Sequence, residues 1–523
     1  MDLRIPVSGP AHRRAPTTPR PTRPVAVLSV VLVAALAINV ETTIVNVALP
    51  TLNSALNAST RGLQWIVDAY NLAFAALVLA GGTVGDKFGR RGTLITGLTL
   101  FTVSSVAAAM CSTTQQLVAA RVLMGVASAL IYPTTLAILT DTFREPRARA
   151  ASIGAWGAVT GLGVAVGPIL GGALLEWFWW GSLFLALAPI ALVAAAAAPW
   201  TIPAAPPPNR TPLDRGGVVL SVAMLGSLVY TIIEAPHRGW ASPGSVAGFV
   251  VALAAAVAFT VWERRSRHPL IDVTLFSNLR FSAASGAVAV AFFALFGFIF
   301  LIAQFMQQLQ GFGPLGTGVR VLPVALSIAA GSVLGTRMAV SRLGTKAVVV
   351  AGLSMMAGSF GWIATIQPDT PYVTMALQMV LLGGGLGLTT APATDSIMGV
   401  VRPEQAGAGS AVNDATRQVG GTLGVAVIGS VFATLYAGRL ADSNPLRELP
   451  QRAQQTMSEG LAQGLRVASQ APAPLSGALR AEVSGAFVAG LHAGSLTAAA
   501  VCAFGAVFAV AVLPSHPAQA QLA

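Results

Sequence analysis

Charged residues, cysteines and histidines are scarce in this sequence, and each scarcity excludes a class of protein. Asp, Glu, Lys and Arg make up only 10% of the 523 residues, whereas a soluble domain carries about a quarter. Cys111 and Cys502 both lie in apolar runs, so we expect neither a disulfide nor a metal site. The five histidines are scattered, and no pair has the spacing of metal ligands. No hydrolytic or cofactor-binding pattern stands out, so we predict that the protein is not an enzyme and has no cofactor.

Hydrophobic residues are abundant instead, at 54% of the chain with a mean hydropathy of +0.71. They form runs of about 20 residues, the length of a membrane-spanning helix, whereas barrel strands are about half as long and alternate in polarity. We predict an all-α polytopic membrane protein with 14 transmembrane helices. The predicted spans 1 to 14 are 25–49, 65–84, 93–111, 116–139, 151–174, 180–199, 216–233, 246–262, 280–303, 317–337, 346–366, 373–397, 409–434 and 485–512.

The spans suggest two six-helix halves with two helices inserted between them. Two related halves around a midplane site are typical of transporters. The predicted division is a disordered cytoplasmic tail at 1–24, an N-terminal half at 25–199, a linker with inserted helices 7 and 8 at 200–279, a C-terminal half at 280–512 with an extracellular loop at 435–484, and a cytoplasmic tail at 513–523.

The distribution of arginine predicts the orientation in the membrane. Basic residues concentrate in the loops on one side, while the short loops on the other side offer little beyond Arg61 and Arg238. Since cytoplasmic loops carry the excess of Lys and Arg, both termini are predicted to be cytoplasmic. These loops account for the net charge of +12, so no nucleic acid partner is expected.

Loop 435–484 carries several arginines, but long loops largely escape the charge rule. Its residues 450–468 show helical apolar spacing, and the prolines at 471–474 break it. We predict an extracellular helical hairpin, and both a spacer and a lid remain open as its role.

A short polar stretch, residues 81–92, separates spans 2 and 3. Its charges, Asp86, Lys87, Arg90 and Arg91, are costly in hydrocarbon and place it at a membrane face, and its cations indicate the cytoplasmic face. The alternative is an ordinary basic loop. In residue types, spacing and location it resembles the signature loop between spans 2 and 3 of the major facilitator superfamily.

Three charged residues lie inside the predicted spans of the N-terminal half. Glu41 is about 24 Å along span 1 from its cytoplasmic start, at about 1.5 Å per residue, and Asp68 and Arg121 lie in the outer parts of spans 2 and 4. All three are expected in the outer half of the membrane, where they could meet in one cavity. Because an unpaired buried acid is costly, an intramembrane acid indicates a functional site. The alternative is a structural Glu–Arg ion pair.

Span 5 carries small residues at helical spacing. Gly163, Gly167, Gly171 and Gly172 offer a smooth face for close helix packing, and Pro168 adds a kink or hinge. Generic packing would explain the pattern, yet it resembles the antiporter motif of exporters in the superfamily.

Together these features resemble the fourteen-span drug:proton antiporters of the major facilitator superfamily, which include quaternary-ammonium and multidrug efflux pumps. The resemblance covers roughly 25–510. Three further motifs carry it: the span 1 motif 41–50, with Glu41 where the family usually has Asp; 65–70 around Asp68; and Arg121 with Gly125. Residues 410–417, with Asp414 and Arg417, look like the family's span 13.

The resemblance implies proton-driven export of amphipathic, cationic drugs or antibiotics across a bacterial cytoplasmic membrane. Burial raises the pKa of a carboxylic acid and a nearby guanidinium lowers it, so a site that opens alternately to each side can bind and release protons. The partners would be the drug, protons and the lipid bilayer, and the protein would act as a monomer. The runner-up is a narrow exporter of one endogenous metabolite or self-made antibiotic.

Glu41, Asp68, Arg121 and Asp414 are therefore the candidate proton- or substrate-binding residues. For Asp414, a gate or substrate contact and a structural pair with Arg417 at i, i+3 both remain open. Asp395 is interpreted as a structural cap. The stripe of Phe292, Phe293, Phe296 and Phe300 is expected to face lipid rather than a drug cavity.

The conformational gating residues are predicted in the 81–92 loop and in span 5: Asp86, Arg90, Arg91, Gly163, Gly167, Pro168, Gly171 and Gly172. Asp86 is expected to dock on the start of span 13 at 407–410, since a helix N-terminus presents unpaired N–H groups. Arg90 would orient Asp86 and reach Asp141. This contact would form when the cytoplasmic side closes and would stabilise the outward-open state.

Overall fold

A computed structural model describes residues 24–204, 212–340, 343–401 and 406–514. The predicted tails at 1–24 and 513–523 lie outside these residues, apart from Pro24, Leu513 and Pro514.

The described residues form a bundle of long helices. In chain order they are α1 Pro24–Leu56, α2 Thr60–Phe88, α3 Arg90–Ala109, α4 Thr114–Thr142, α5 Pro146–Trp177, α6 Ser182–Thr201, α7 Arg215–Arg238, α8 Pro243–Arg265, α9 Leu279–Gln304, α10 Pro314–Arg320, α11 Leu322–Val340, α12 Gly344–Ile363, α13 Tyr372–Met398, α14 Ala406–Ala441, α15 Asn444–Arg447, α16 Gln451–Ser458, α17 Leu461–Gln470 and α18 Leu475–Val512.

Fourteen spans in the described residues are long and apolar enough to cross a membrane, as the sequence predicts. The tenth consists of α10 and α11, which the sequence analysis treats as one continuous helix. They separate at Val321, two residues before Pro323. Proline has no N–H to donate to the preceding turn, and its ring disfavours a helical conformation in the residue before it.

The helices pack in groups. Helices α1 to α6 contact one another, and so do α9, α11 to α14 and α18. Helix α7 packs between α2 and α14, while α8 packs mainly on α7 and is mostly exposed. An apolar, exposed α8 is suited to contact with lipid. The division of the chain into two halves stays a prediction.

The extracellular loop predicted at 435–484 is shorter in the structure. Helix α14 continues to Ala441 and α18 begins at Leu475, and both extensions bury apolar side chains such as Tyr436 and Leu479. Residues 450–468, which show helical spacing in the sequence, form α16 and most of α17, and the two helices are separated at Glu459 and Gly460. There the Glu459 carbonyl accepts a hydrogen bond from Thr60 N–H at 2.8 Å.

The end of the bundle that carries 442–474 is called the α17 end, and the opposite one the Arg90 end. Within the described residues, the hydrogen bonds between α1–α6 and the segment 279–514 lie at the α17 end. Gln64 of α2 binds Ser430 of α14, Gln307 binds the Val47 carbonyl of α1, and Arg466 of α17 binds Asn57. The protein is therefore closed at its α17 end.

Candidate functional site

A buried ion pair between Glu41 of α1 and Arg121 of α4 forms the centre of the site. The Arg121 guanidinium binds Glu41 Oε1, and its Nε donates to the Ile66 carbonyl of α2 at 2.9 Å. Glu41 and Arg121 are 0% and 1% exposed. Glu41 Oε2 has no hydrogen-bond partner within the described residues. The pair thus holds three helices together and leaves one carboxylate oxygen available.

Tyr70 of α2 is a member of this cluster that sequence reasoning missed. Its ring lies 4.4 Å from the Arg121 guanidinium carbon, close enough for a cation–π contact. Its hydroxyl lies 3.0 Å from Ser128 Oγ of α4. The signal that could have identified it is its position, because Tyr70 is four residues after Ile66 and lies on the same face of α2.

Asp68 does not join the ion pair, although its predicted position in the outer half would allow the three charges to meet in one cavity. Its side chain is fully buried, and neither carboxylate oxygen has a hydrogen-bond partner among the described residues. Both polar atoms of the Asn71 side chain, three residues later, are likewise unpartnered. One turn earlier, Gln64 donates to the Ala426 carbonyl of α14 at 3.2 Å. Asp68 therefore shares the α2 face that meets α14.

Asp414 forms a second acidic site in α14. Its carboxylate lies 3.8 Å from Arg417, whose guanidinium carbon lies 4.5 Å from the Phe292 ring. Helix α14, which carries this pair, packs against α2 and α4 of the other helix group. The pairing of Asp414 with Arg417 is present, and its role stays a prediction.

The phenylalanine stripe of α9 does not face lipid as expected. Phe292, Phe293, Phe296 and Phe300 are all buried within the protein. Gly421 and Gly424 of α14 lie directly against Phe296 and Phe293. The glycines let α9 and α14 approach closely, which covers the rings.

The loop between α2 and α3 is held by arginine. Arg90 donates to Asp86 Oδ1 at 2.9 and 3.0 Å and to the Ala137 carbonyl at 2.9 Å, and it also pairs with Asp141. Arg91 reaches the Ile202 carbonyl at 3.4 Å. Gly89 between the helices has φ +98°, a conformation that favours glycine.

The hydrogen bonds that Asp86 accepts within the described residues come from Arg90, and none comes from the N-terminus of α14. Within the described residues, the docking contact proposed from the sequence is therefore not seen while the α17 end is closed, and the gating role of Asp86 stays a prediction.

The small residues of α5 pack on two different partners. Gly163, Gly167 and Gly171 lie against α1, where an added Cβ would come within 2.9 Å of Asn39, Thr43 or Ile44. A Cβ on Gly172 would instead lie 2.6 Å from the Pro314 carbonyl oxygen of α10. The Pro168 carbonyl lies against Gly318 of α10. This helix thus joins the two helix groups at the α17 end.

Within the described residues, no group of three or more His, Cys, Asp or Glu side chains could hold a metal ion. The chemistry available at the site is ionic: a buried acid paired with arginine, a buried unpaired acid, and an acid–arginine pair between the helix groups.

Fourteen helices of the described residues are long and apolar enough to cross a membrane, and they surround buried, unevenly paired charges. These features define a polytopic membrane protein. The family model of the Major Facilitator Superfamily matches residues 31–425, and the chain belongs to this superfamily.

Named relatives agree with this assignment. The chain is 34% identical over 421 residues to the "Multidrug efflux pump LfrA" of Mycolicibacterium smegmatis, covering 80% of this chain and 83% of the relative. It is 30% identical over 516 residues to the "Tetracenomycin C resistance and export protein" of Streptomyces glaucescens, covering 98% and 95%.

Among solved structures, a bacterial homolog of the human lysosomal transporter Spinster, in an inward-facing and occupied conformation, matches with a TM-score of 0.63. The two share 17% identity, and the match covers 94% of this chain and 97% of the other. This similarity concerns the fold alone.

Proposed function

We propose that this protein exports amphipathic, cationic drugs or antibiotics from the cytoplasm in exchange for protons, by alternating access. It would work as a monomer in the bacterial cytoplasmic membrane, with both termini cytoplasmic. The relatives named for multidrug efflux and for antibiotic resistance and export support the drug as the substrate class. The observation that carries proton exchange is the buried Glu41–Arg121 pair with its unpartnered Glu41 oxygen.

The pair can be read as a proton switch. Glu41 is stabilised as a carboxylate by Arg121 and destabilised by burial, so a modest change of environment decides whether it holds a proton. When the site opens to the outside, a proton enters and weakens the pair. When it opens to the cytoplasm, the proton leaves and the pair reforms.

Asp68 supplies the second charge in this proposal. A fully buried carboxylate without a partner favours the approach of a cation or a proton. Competition between proton and cationic drug for the buried acids gives an exchange cycle without any further energy source.

The direct test is ethidium efflux from intact cells that express the protein, with and without a protonophore. We expect efflux against the ethidium gradient that stops within seconds of protonophore addition while ATP is kept constant. Efflux that survives collapse of the proton gradient would exclude antiport.

A second candidate is a narrow exporter of a single metabolite or self-made antibiotic. The relative that covers 98% of this chain is named for one compound, tetracenomycin C, which favours this alternative. A resistance panel of chemically unrelated compounds separates the two, since a narrow exporter protects against one compound class only.

A further inference from the structure

A cavity lies within the C-terminal helices, and Glu41, Asp68 and Arg121 are not among its lining residues. It has a volume of about 300 Å³, at the lower end of the range of small-molecule sites. Its walls come from α9, α13 and α14, with Val288, Phe292, Thr390, Thr394, Asp395 and Arg417. Residues 390–395 belong to the last three turns of α13, so the cavity faces the Arg90 end of the bundle.

The positive charge at this cavity is already engaged. The Arg417 guanidinium pairs with Asp414 at 3.8 Å and stacks on the Phe292 ring at 4.5 Å. Asp395 differs, because no hydrogen bond or ion pair reaches its side chain from the described residues, and it is exposed to the cavity. Among the described residues, Asp395, Asp414 and Arg417 therefore leave one negative charge without a partner.

The uncharged polar groups of the wall are also acceptors. The Thr390 hydroxyl donates to the Leu386 carbonyl at 2.9 Å, and the Thr394 hydroxyl donates to Asn413 Oδ1 at 3.3 Å. With their protons engaged, both hydroxyls present lone pairs to a ligand. The cavity wall therefore complements a ligand that carries N–H donors or a positive charge, and it does not complement an anion.

Asp395 is poorly explained as a structural cap, the role interpreted from the sequence. It stands in the last turn of α13, before the C-cap Gly399, where the helix dipole disfavours a negative charge. Its backbone carbonyl, not its side chain, receives the Gly399 N–H at 2.9 Å. The helix dipole therefore disfavours the Asp395 carboxylate, which has no structural partner within the described residues.

We propose that this cavity is a binding site for a monocationic amphiphile, with Asp395 as its charge partner and Val288 and Phe292 as its apolar wall. The ligand would occupy it on the way from the Arg90 end to the buried acids. The inference rests on the proposed export of cationic drugs and adds a place of first binding to it.

The test measures ethidium binding to the purified full-length protein in detergent, without any proton gradient. Asp395→Asn is expected to weaken ethidium binding at least about tenfold, and Asp395→Glu should restore most of it. Binding of the neutral amphiphile Nile red should stay nearly unchanged. Asp369→Asn is the matched control, since Asp369 is an exposed acid just before the other end of α13.

A labelling experiment keeps the inference testable if Asp395→Asn does not fold. The background variant has Cys111 and Cys502 replaced by serine. In it, ethidium should slow maleimide labelling of Ala391→Cys in the cavity wall. It should not slow labelling of Ser469→Cys, an exposed position on α17. Ethidium affinity that Asp395→Asn leaves unchanged, or labelling of Ala391→Cys that ethidium does not slow, overturns the inference alone. If wild-type protein binds no ethidium, both this inference and the proposal of cationic substrates are contradicted.

Discussion

At the scale of single residues, the two fully buried acids of the N-terminal helices differ in their partners. Glu41 is paired with Arg121, while Asp68 has no partner within the described residues. Removing one member of a buried pair strands the other charge, whereas neutralising an unpaired acid relieves a cost. We therefore expect that neutralising Glu41 lowers the stability of the protein, whereas neutralising Asp68 keeps or raises it. Measuring stability and transport in the same variants separates a structural role from a functional one.

Glu41→Gln is expected to abolish uphill efflux and to destabilise the protein by about 3–5 kcal/mol, because Arg121 is left buried and unpaired. Glu41→Asp should retain part of the transport. The control is the double variant Glu41→Gln/Arg121→Gln, which should recover thermal stability in detergent but not uphill efflux. Recovery of uphill efflux in the double variant would make the pair purely structural.

Asp68→Asn should keep or raise the melting temperature, since it removes an unpartnered buried charge. The same substitution should reduce resistance to dications more than to monocations or neutral drugs. The reason is that the electrostatic attraction between Asp68 and a ligand scales with the charge of the ligand. Thermal melts and growth inhibition assays measure the two effects, with Asp442→Asn in an exposed loop as control. An equal loss of resistance for every ligand charge would point to a proton-only or structural role.

The sequence identified these acids and offered a Glu–Arg ion pair as one interpretation, but it left open whether Asp68 also meets Arg121. An acid in an apolar run must be buried or paired, which selects Glu41 and Asp68 directly. Which of them meets Arg121 depends on how three helices rotate against each other, and Tyr70 and the Ile66 carbonyl complete that contact. Local sequence does not specify such rotations.

At the scale of elements, α5 connects the helix groups through its small residues. Gly172 lets the α10 backbone approach at the α17 end, while Gly161 on the same helix has no neighbour within 4 Å of an added Cβ. One helix thus offers a tight contact between the groups and an open position for comparison.

Gly172→Ala should therefore favour opening at the α17 end. Overpacking costs about 1–3 kcal/mol, and about 1.4 kcal/mol shifts a two-state ratio tenfold. Maleimide labelling of Thr317→Cys, a buried position on α10, should rise in this variant, in a background without native cysteines. Gly161→Ala should leave labelling unchanged, and equal labelling in both variants would contradict a gating role for Gly172.

Hydropathy located the spans well because it reports contact with lipid. Span 3, predicted at 93–111, corresponds to Arg90–Ala109, and span 6, predicted at 180–199, corresponds to Ser182–Thr201. Hydropathy did not predict the full lengths of α14 and α18, whose additional turns lie at the α17 end and pack there. There the Tyr436 hydroxyl donates to the Met457 carbonyl at 3.1 Å, a contact between segments that local composition does not reveal.

At the scale of the whole molecule, alternating access requires two closures, and this structure shows one of them. The α17 end is closed by contacts of α2, of Gln307 just after α9, and of α17. Asp86 and Arg90 lie at the other end, where Asp86 remains bound to Arg90. We therefore expect the docking of Asp86 on α14 in the opposite state.

Asp86→Asn should lower the transport rate, leave substrate affinity in detergent within a few-fold, and increase labelling of Ala391→Cys. The contact of a charge with a helix N-terminus contributes about 0.3–1 kcal/mol, or up to ~2 when partly buried. Asp141→Asn is the control, because Asp141 shares Arg90 but is not expected to dock. Lost transport with unchanged labelling would leave Asp86 as a folding residue.

The central claim is the exchange of protons for drug through Glu41, and proteoliposomes test it most directly. Purified protein is reconstituted with an imposed pH gradient, and ethidium and a pH-sensitive dye are recorded together. For wild-type protein, we predict uphill ethidium movement toward the acidic side, with protons moving the opposite way, and neither for Glu41→Gln. Uphill ethidium movement without a proton gradient, or wild-type behaviour of Glu41→Gln, would contradict the account.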